Sequence, residues 1–399
     1  MKVLFITNLV PYPLDNGGKI KTYNMLKMIS VDNEIDLCCF HEKNMNNNCI
    51  NELKKICKNV YSFEKKITTS TNHKYMIKLA IKSIFSFYPL TVLKFEDSRM
   101  KKLINDLRKK NNYDVIYIDH LQLSIYLKEG FKELKILDEH NCESMIMKRT
   151  FLEEKNIFKK IFLGLEYKKL NRFESKQLNK VDKIIVLSKE DRDTLLKISD
   201  TKKNKYSIIP IPIECNFYKK SHFIEDKNKV RIMFLGTLSW NPNREAILWF
   251  LKNVMPELDH RYELYIVGKD PSKDVLDLSN KFKNVKITGY VNDVNEYIEL
   301  CDIMIVPIFI GSGLRVKILE ALGKGIPVIS TNIGAEGIAV NNNKEIIFAN
   351  NKDEFIKGLM KLEDDNYYLS IKKNGRSLYE KEYSFDAISS KVRYILNKI

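Results

Sequence analysis

The stretch GSGLRVKILEALGKGIPVI, residues 311–329, is the most informative part of this 399-residue chain. It begins with a loop containing two glycines, which leads into a predicted helix carrying Arg315, Lys317 and Glu320. The helix is expected to end at a glycine, and the apolar residues that follow predict a strand. The stretch therefore predicts a loop, a helix and a strand in succession, as in an α/β layer.

The start of this unit suits an anionic ligand. Glycines let the backbone approach a ligand closely, and the free N–H groups of a helix N-terminus favour a phosphate. The cations of Arg315 and Lys317 suit a diphosphate, and the carboxylate of Glu320 suits the paired hydroxyls of a ribose. A nucleotide-diphosphate-sugar would use all of these groups at once. The alternative is a surface loop that precedes a helix.

This stretch resembles the donor-binding segment of retaining glycosyltransferases of the GT-B fold, in particular family 4. The resemblance implies donor contacts from Gly313, Leu314, Arg315, Lys317 and Glu320. Many members place a further glutamate eight residues before the one that matches Glu320, near the sugar. This chain has Ser312 there. Nucleotide binding stays the expectation, while the sugar contact is left open.

Length and composition indicate a two-domain globular protein. The chain has 44% hydrophobic and 30% charged residues, and 399 residues suffice for two domains with separate cores. The N-terminal residues 1–8 have neither a full signal-peptide core nor a cleavage site, so they predict a buried first strand. No apolar run approaches the roughly 18 residues that cross a bilayer, so we expect no transmembrane span.

Cysteine usage argues for a reducing compartment. The chain has seven cysteines, scattered and without a CxxC pair or a histidine cluster. This pattern favours reduced thiols in a cytosol and argues against structural zinc.

The net charge of +16 is concentrated in one region. Residues 54–110 contain 15 Lys or Arg against 4 Asp or Glu. Such a patch attracts anionic surfaces, although a solvated lysine-rich face is the plain alternative. Within it, residues 74–88 predict an amphipathic helix that meets an anionic membrane, with a core helix as the alternative. Its lysines recur every four residues beside a broad apolar surface: Lys74, Lys78, Lys82, and Met76, Ile77, Leu79, Ile81, Ile84, Phe85, Phe87.

Short β-branched runs alternate with amphipathic segments along the whole chain, which predicts parallel sheets with helical crossovers. The strands expected before residue 209 are Val3–Thr7, Glu34–Phe40, Val60–Phe63, Val115–Asp119, Lys135–Asp138 and Lys183–Leu187. Those expected later are Val230–Leu235, Tyr262–Val267, Val285–Thr288, Ile303–Pro307, Val328–Ser330 and Ile346–Phe348.

Two prolines within residues 209–213 predict an extended linker between the halves. The fold class expected is α/β, a GT-B architecture of two doubly wound parallel-sheet domains facing across a cleft. We expect an acceptor-side domain at 1–208 and a nucleotide-sugar-binding domain at 209–383. Residues 384–399 are expected to form a helix that, by resemblance, crosses back to the first domain.

In the first half, two motifs follow predicted strands. Gly17 and Gly18 match a glycine-rich loop that in relatives faces the donor phosphate, although the spacing fits neither a Walker A nor a Rossmann motif. A structural turn is the alternative. His120 ends a predicted strand, where relatives place a histidine that touches the transferred sugar. A structural hydrogen-bonding role is the alternative for this residue.

A second cluster, DEHNCE at residues 138–143, also follows a strand, and similar sequences recur in the sub-branch that the chain resembles. Glu143 is the candidate to orient acceptor or sugar hydroxyls. The acids and histidine could also suggest a metal site, but no third ligand appears at metal-like spacing. Retaining GT-B enzymes generally need no metal, so none is assigned.

In the second half, residues 234–243 predict a strand, a glycine turn and a helix start. Relatives hold the diphosphate with an Arg and a Lys after this turn, and here that role shifts toward Arg315 and Lys317. The expected donor contacts are Gly236, Thr237, Asn243, Arg244, Gly268 and Val291. Trp240 and Tyr290 are expected to be packing aromatics.

Together these features predict a cytosolic, membrane-associated retaining glycosyltransferase. It would move a sugar from a nucleotide-diphosphate donor to a glycan or lipid-linked acceptor in surface polysaccharide biosynthesis. His120, Arg315 and Lys317 are the catalytic candidates, acting by positioning and charge stabilisation, with no cofactor. The alternatives are a nucleotide-sugar epimerase and a non-catalytic binding subunit. Nucleic-acid binding is not expected, because no recognition motif accompanies the basic patch.

Overall fold

The fold comes from a computed structural model that describes residues 1–43, 45–46, 48–67, 73–127, 130–215, 228–311 and 313–397. Ser312 lies outside the described residues, as do the side chains of His73, Lys74 and Asn397. In the described part of the chain, no helix has both the length and the hydropathy needed to cross a membrane.

The strands form two parallel sheets, as the sequence predicts. Seven strands pair in the order β3-β2-β1-β4-β5-β6-β7, and six pair in the order β10-β9-β8-β11-β12-β13. The strands of the first sheet are β1 Lys2–Ile6, β2 Glu34–His41, β3 Asn59–Glu64, β4 Val115–Asp119, β5 Leu134–Glu139, β6 Lys183–Val186 and β7 Tyr206–Ile208. Those of the second are β8 Val230–Leu235, β9 Tyr262–Val267, β10 Val285–Gly289, β11 Ile303–Val306, β12 Val328–Ser330 and β13 Ile347–Phe348.

Among the described residues, helices lie between most successive strands, and three more follow the last strand. They are α1 Gly17–Ser30, α2 Asn48–Leu53, α3 His73–Ile84, α4 Leu90–Leu93, α5 Ser98–Lys110, α6 Glu143–Glu153, α7 Ile157–Lys180, α8 Lys189–Ile198, α9 Asn241–Asn253, α10 Lys273–Ser279, α11 Asn295–Leu300, α12 Val316–Lys324, α13 Lys352–Lys361, α14 Asp365–Glu382 and α15 Phe385–Asn397. Short 3₁₀ helices lie at Leu121–Tyr126, Lys203–Lys205 and Met255–Glu257.

The chain divides into two compact units. The N-terminal unit contains residues 1–212 and 388–399, and the C-terminal unit contains residues 213–387. Most of α15 therefore belongs to the N-terminal unit although it ends the chain. Within that unit, the side-chain amide of Asn24 donates to the carbonyl of Pro212 at 2.8 Å, which fixes the end of the proline-containing segment.

The start of α1 and the end of α12 are each fixed by a local feature of the sequence. Asn16 caps α1, since its side-chain oxygen accepts from the backbone N–H of Lys19 at 3.0 Å. Gly325 ends α12 with φ of 74°, a left-handed conformation that glycine adopts without the strain of a Cβ. The helix–strand boundary predicted in the 311–329 stretch thus has a simple steric cause.

The cysteines are free thiols, as the sequence favours. Six of the seven are buried, and Cys215 is partly exposed. Burial raises the pKa of Cys57 to about 12, so this thiol stays protonated and inert at neutral pH.

Candidate functional site

In the N-terminal unit, polar groups converge on Asp119 at the carboxyl end of β4. The buried carboxylate accepts from the hydroxyls of Thr7 at 2.6 Å and Thr22 at 2.7 Å. The same carboxylate hydrogen-bonds to His120 Nδ1 at 3.0 Å and to His140 Nε2 at 2.7 Å. Burial would raise the pKa of Asp119, but the two imidazoles hold it well below its usual range. Asp119 therefore orients both histidines.

His120 occupies an unusual backbone position. Its φ is 86°, a region that non-glycine residues rarely adopt and that clusters at functional sites. Its ring stacks on that of His140 with centroids 3.8 Å apart. Burial would lower the pKa of His120, but the Asp119 carboxylate outweighs it and raises this pKa. Burial lowers the pKa of His140 to about 4, with His120 adding to the shift.

His120 also has a structural role. The residue is fixed by a stacked ring, by a hydrogen bond to a buried carboxylate and by a strained backbone. A substitution there removes structural contacts as well as any contact with substrate.

Asp119, His120 and His140 also lie close enough to hold a metal ion, since their ligand atoms are within 4.8 Å of one another. Sequence spacing did not reveal this grouping, because Asp119 and His120 lie about 20 residues before His140 in the chain. Both oxygens of Asp119 already accept hydrogen bonds from the two histidines and from two threonine hydroxyls. We describe the group as a hydrogen-bonded cluster and assign no metal to it.

A second buried pair lies at the end of β5. The ammonium of Lys21 donates to Asp138, which also accepts from the hydroxyl of Tyr117 at 2.5 Å. The side chains of Lys21 and Asp138 are fully buried, so each charge depends on the other for stabilisation. Helix α1 thus attaches to the sheet through Lys21 and Thr22, directly after the predicted glycine loop. Gly17 and Gly18 form the first turn of this helix.

Glu143 opens α6 and lies among other buried carboxyl groups. Its backbone N–H donates to Glu174 Oε1 at 2.9 Å. Burial raises the pKa of Glu143, and burial also raises the pKa of Glu174 to about 7. Glu139, four residues before Glu143, is also buried, and burial together with the charge of Glu174 raises its pKa well above the usual range. Glu143 therefore lies in a cluster of carboxyl groups whose pKa values burial raises.

In the C-terminal unit, the expected donor-binding residues come together around Lys317. Its ammonium donates to Asn243 Oδ1 at 3.1 Å, and the amide of Asn243 donates to the carbonyl of Thr237 at 3.0 Å. Lys317 also lies over the ring of Phe234, with Nζ 4.9 Å from the centroid. Burial, with the nearby charge of Arg315 adding to the shift, lowers the pKa of Lys317 to about 7. A bound anion would therefore favour the charged form of the Lys317 amine.

Gly236 and Gly268 permit a close approach of two loops. The N–H of Gly236 donates to Val267 at 2.9 Å, and that of Leu238 donates to Lys269 at 2.9 Å. A Cβ on Gly268 would overlap the carbonyl of Gly236, so only glycine fits there. The loops after β8 and β9 are therefore joined beside Lys317.

Arg315 immediately precedes α12 and is buried. Its Nη1 donates to the carbonyl of Gly313 at 2.6 Å, and its guanidinium lies 5.7 Å from the centroid of Trp240. Burial lowers the pKa of Arg315. Glu320 lies one turn beyond Lys317 on α12, partly exposed, and burial raises its pKa. Leu314 is partly exposed beside them.

Other expected contacts lie apart from this group. Arg244 donates to Asp274 and, at 2.5 Å, to Glu245, so its charge is balanced away from Lys317. Val291 is partly exposed in the loop after β10. The expectation that Trp240 and Tyr290 are packing aromatics is wrong, because they are 44% and 74% exposed.

Comparison with known proteins identifies the activity that this architecture serves. Residues 229–365, which include β8 and α12, match the family model described as Glycosyl transferases group 1. The chain is a glycosyltransferase with the GT-B fold. The matched segment spans all of the expected donor contacts from Gly236 to Glu320.

Relatives of this glycosyltransferase come from several bacteria. It is 25% identical over 408 residues to an uncharacterised 44.6 kDa protein in the cps region of Klebsiella pneumoniae, covering 97% of this chain and 95% of that one. It is 25% identical over 301 residues to the Escherichia coli UDP-Gal:alpha-D-GlcNAc-diphosphoundecaprenol alpha-1,3-galactosyltransferase, covering 70% and 74% of the two chains. The crystal structure of Anabaena HepE with UDP and glucose matches with a TM-score of 0.67 at 13% identity over the full length of both.

Some residues of the glycosyltransferase that shape the site were missed by the sequence analysis, among them Thr7, Lys21, Thr22, Asp119 and Glu174. Lys21 and Thr22 lie on a helix. Lysine and threonine are usually exposed, so nothing in the sequence predicts that these two side chains are buried. Asp119 could have been identified as a site residue, because an acid at the carboxyl end of a buried parallel strand lies close to the ends of the neighbouring strands.

Proposed function

We propose that this glycosyltransferase is a retaining enzyme that moves a sugar from a nucleotide-diphosphate donor to a glycan or lipid-linked acceptor. The observation that carries the proposal is the convergence of Lys317, Asn243 and Arg315 at the start of α12. Two cations beside a helix N-terminus would hold a diphosphate, and Glu320, one turn along the helix, would accept hydrogen bonds from the ribose hydroxyls.

Lys317 and Arg315 would act mainly on the departing nucleotide. During transfer, the bond between the sugar anomeric carbon and the β-phosphate oxygen breaks, and negative charge develops on the diphosphate. Two cations with little access to water stabilise that charge more strongly than the ground state, which raises kcat rather than affinity alone.

Retention would follow from attack on the face that the nucleotide leaves. The acceptor hydroxyl forms the new bond to the anomeric carbon, and its proton passes to the departing phosphate oxygen. No enzyme carboxylate is required as a nucleophile in this scheme, which agrees with a serine at position 312. His120, oriented by Asp119, would contact the transferred sugar, and Glu143 would orient acceptor hydroxyls.

The acceptor class is inferred from the named relative. The Escherichia coli protein carries a lipid-linked saccharide in its name, and the Klebsiella pneumoniae protein belongs to a cps region. We propose that this chain acts likewise in surface polysaccharide biosynthesis. An enzyme of this kind would be cytoplasmic and peripheral on the inner face of the membrane, with residues 74–88 in contact with anionic lipid.

The test begins with donor binding. A calorimetric panel of nucleoside diphosphates should reveal one that binds, and a transfer assay with its sugar should yield product only when acceptor is present. The anomeric configuration of the product, read by NMR, should match that of the donor. An inverted product would contradict retention, and sugar conversion without any acceptor would indicate an epimerase instead.

Variants then test the assigned groups. Arg315→Ala and Lys317→Ala should lower kcat as well as donor affinity. Wild-type turnover in both variants would contradict the diphosphate assignment.

A further inference from the structure

The C-terminal part of α3 and the turn after it expose large apolar side chains. On α3, Leu79 and Ser83 are buried, whereas Ile77 and Ile81 on other positions of the helix are exposed. The turn that follows exposes Phe85 by 86% and Phe87 by 99%. A helix whose apolar residues only packed on the core would not present them to solvent, so this exposure needs a partner.

Helix α7 carries an exposed apolar strip of its own. Ile157, Ile161 and Leu165 recur at a spacing of four along this helix, and each is more than 45% exposed: 61%, 58% and 49%. Phe158 beside them is 81% exposed. Residues spaced by four lie on one side of a helix, so the first half of α7 carries a continuous apolar strip.

The two features lie next to each other. Ser83 at the end of α3 donates to Glu166 of α7 at 2.5 Å, and Lys169 donates back to the carbonyl of Ser83 at 2.5 Å. The ring of Tyr88 meets that of Phe173 edge-on, with centroids 5.8 Å apart. These contacts hold the end of α3 and the turn after it against the middle of α7, so the two exposed apolar features belong to neighbouring elements.

We define the α3–α7 surface by Ile81, Phe85, Phe87, Phe158, Ile161 and Leu165. Exposed lysines surround it on both elements, among them Lys78 on α3 and Lys155, Lys159 and Lys168 on or next to α7. Residues 73–90 contain no Asp or Glu, and the acid within residues 155–169 is the buried Glu166. Lys82 pairs with Glu96 at 2.7 Å, but both side chains are about half exposed.

We propose that the α3–α7 surface docks on an anionic lipid bilayer, with α7 contributing as much as α3. This inference rests on the proposed peripheral membrane attachment and assigns a second element to it. Aromatic rings on a protruding turn enter the boundary between headgroups and acyl chains, while the flanking lysines meet anionic headgroups. The lysines on and next to this surface outnumber the exposed acids beside it, such as Glu96 and Glu153, so the surface complements an anionic bilayer rather than a neutral one.

Vesicle flotation tests the proposal with the full chain. Wild-type protein should float with vesicles of phosphatidylcholine containing about one quarter phosphatidylglycerol, and binding should weaken at high salt and on pure phosphatidylcholine. The α7 pair Phe158→Ser and Ile161→Ser should lower the partition coefficient at least about tenfold, as should the pair Phe85→Ser and Phe87→Ser. Replacing Lys155 and Lys159 with Gln should lower it several-fold on anionic vesicles.

A control pair, Met360→Ser and Leu369→Ser, removes exposed apolar residues from the C-terminal unit and should leave flotation unchanged. Each variant should keep the wild-type melting temperature and donor affinity. Wild-type flotation by the α7 pair would overturn the assignment of α7, and absence of flotation by the wild type would overturn the surface. A wild-type dimer in light scattering that the α7 pair makes monomeric would also overturn it, in favour of a second copy. Since donor binding is read separately, its failure would refute the proposed function and not this surface.

Discussion

Binding of a nucleoside diphosphate should take up a proton through Lys317. In the ligand-free protein, burial lowers the pKa of Lys317 to about 7, with Arg315 adding to the shift. Close to half of the molecules therefore carry an uncharged amine at neutral pH. A diphosphate beside this amine favours the ammonium, because an opposite charge within a few ångströms raises the pKa of a lysine. The complex then holds a proton that much of the free protein lacks.

The size of the effect follows from the protonated fraction. With a pKa near 7, this fraction falls from about one half at pH 7 to about one hundredth at pH 9. If only the ammonium binds, donor affinity should fall about 50-fold over that interval. An ordinary surface lysine stays charged throughout this interval and would give an affinity that hardly changes with pH.

Calorimetry at pH 8 in two buffers with different ionisation enthalpies measures the proton uptake directly. We expect about 0.9 proton per nucleotide, since the terminal phosphate, with a pKa of about 6, is already ionised. Lys317→Arg is the matched control, because arginine keeps its charge at this pH and should abolish the uptake. An uptake near zero in the wild type, or an affinity that does not change between pH 7 and pH 9, would refute the reasoning.

Three further substitutions test the packing and the ribose contact. Thr22→Val should lower the free energy of unfolding by about 1.5–3 kcal/mol in chemical denaturation, because the buried carboxylate of Asp119 loses a hydrogen-bond donor. Thr22→Ser keeps the hydroxyl and should keep most of this stability. Equal losses in the two variants would contradict a role for the hydroxyl. Gly268→Ala should lower both the melting temperature and the donor affinity. In the control Gly18→Ala, the added Cβ would meet Asn16 at an ordinary 3.4 Å, so the melting temperature should stay that of the wild type. A wild-type melting temperature in Gly268→Ala would show that the two loops can separate. Glu320→Gln should weaken donor binding about tenfold without unfolding the protein, and unchanged calorimetric affinity would remove Glu320 from the ribose contact.

Strand positions could be predicted because buried parallel strands are short apolar runs between polar helices. Val115–Asp119, Val230–Leu235 and Tyr262–Val267 were predicted to the residue. The strand Tyr206–Ile208 was missed, because its three residues follow a lysine-rich turn and resemble the start of the proline linker. It lies at the edge of the sheet and has only three residues, so its hydrophobic pattern is too short to identify a strand.

The residues of the donor-binding group could be predicted individually, because each follows a strand or lies near the start of a helix. The contacts among them could not be predicted. Arg244 lies one residue after Asn243, yet it pairs with Asp274 while Asn243 contacts Lys317. Successive residues on a helix point about 100° apart, so neighbours in sequence serve different surfaces.

The cluster around Asp119 depended on contacts that no sequence motif records. Thr7, Thr22 and His140 come from three separate elements, and only the sheet order brings them to one carboxylate. Helix α1 supplied the least predictable part, because the buried charge of Lys21 depends on Asp138, which only the fold places against it.

The structure of the protein with a bound nucleoside diphosphate tests the central claim most directly. We predict that a diphosphate oxygen lies within about 3 Å of Lys317 Nζ, with the guanidinium of Arg315 against the same group and the ribose hydroxyls on Glu320. A nucleotide bound elsewhere in the chain, or a diphosphate that leaves Lys317 hydrogen-bonded only to Asn243, would contradict it.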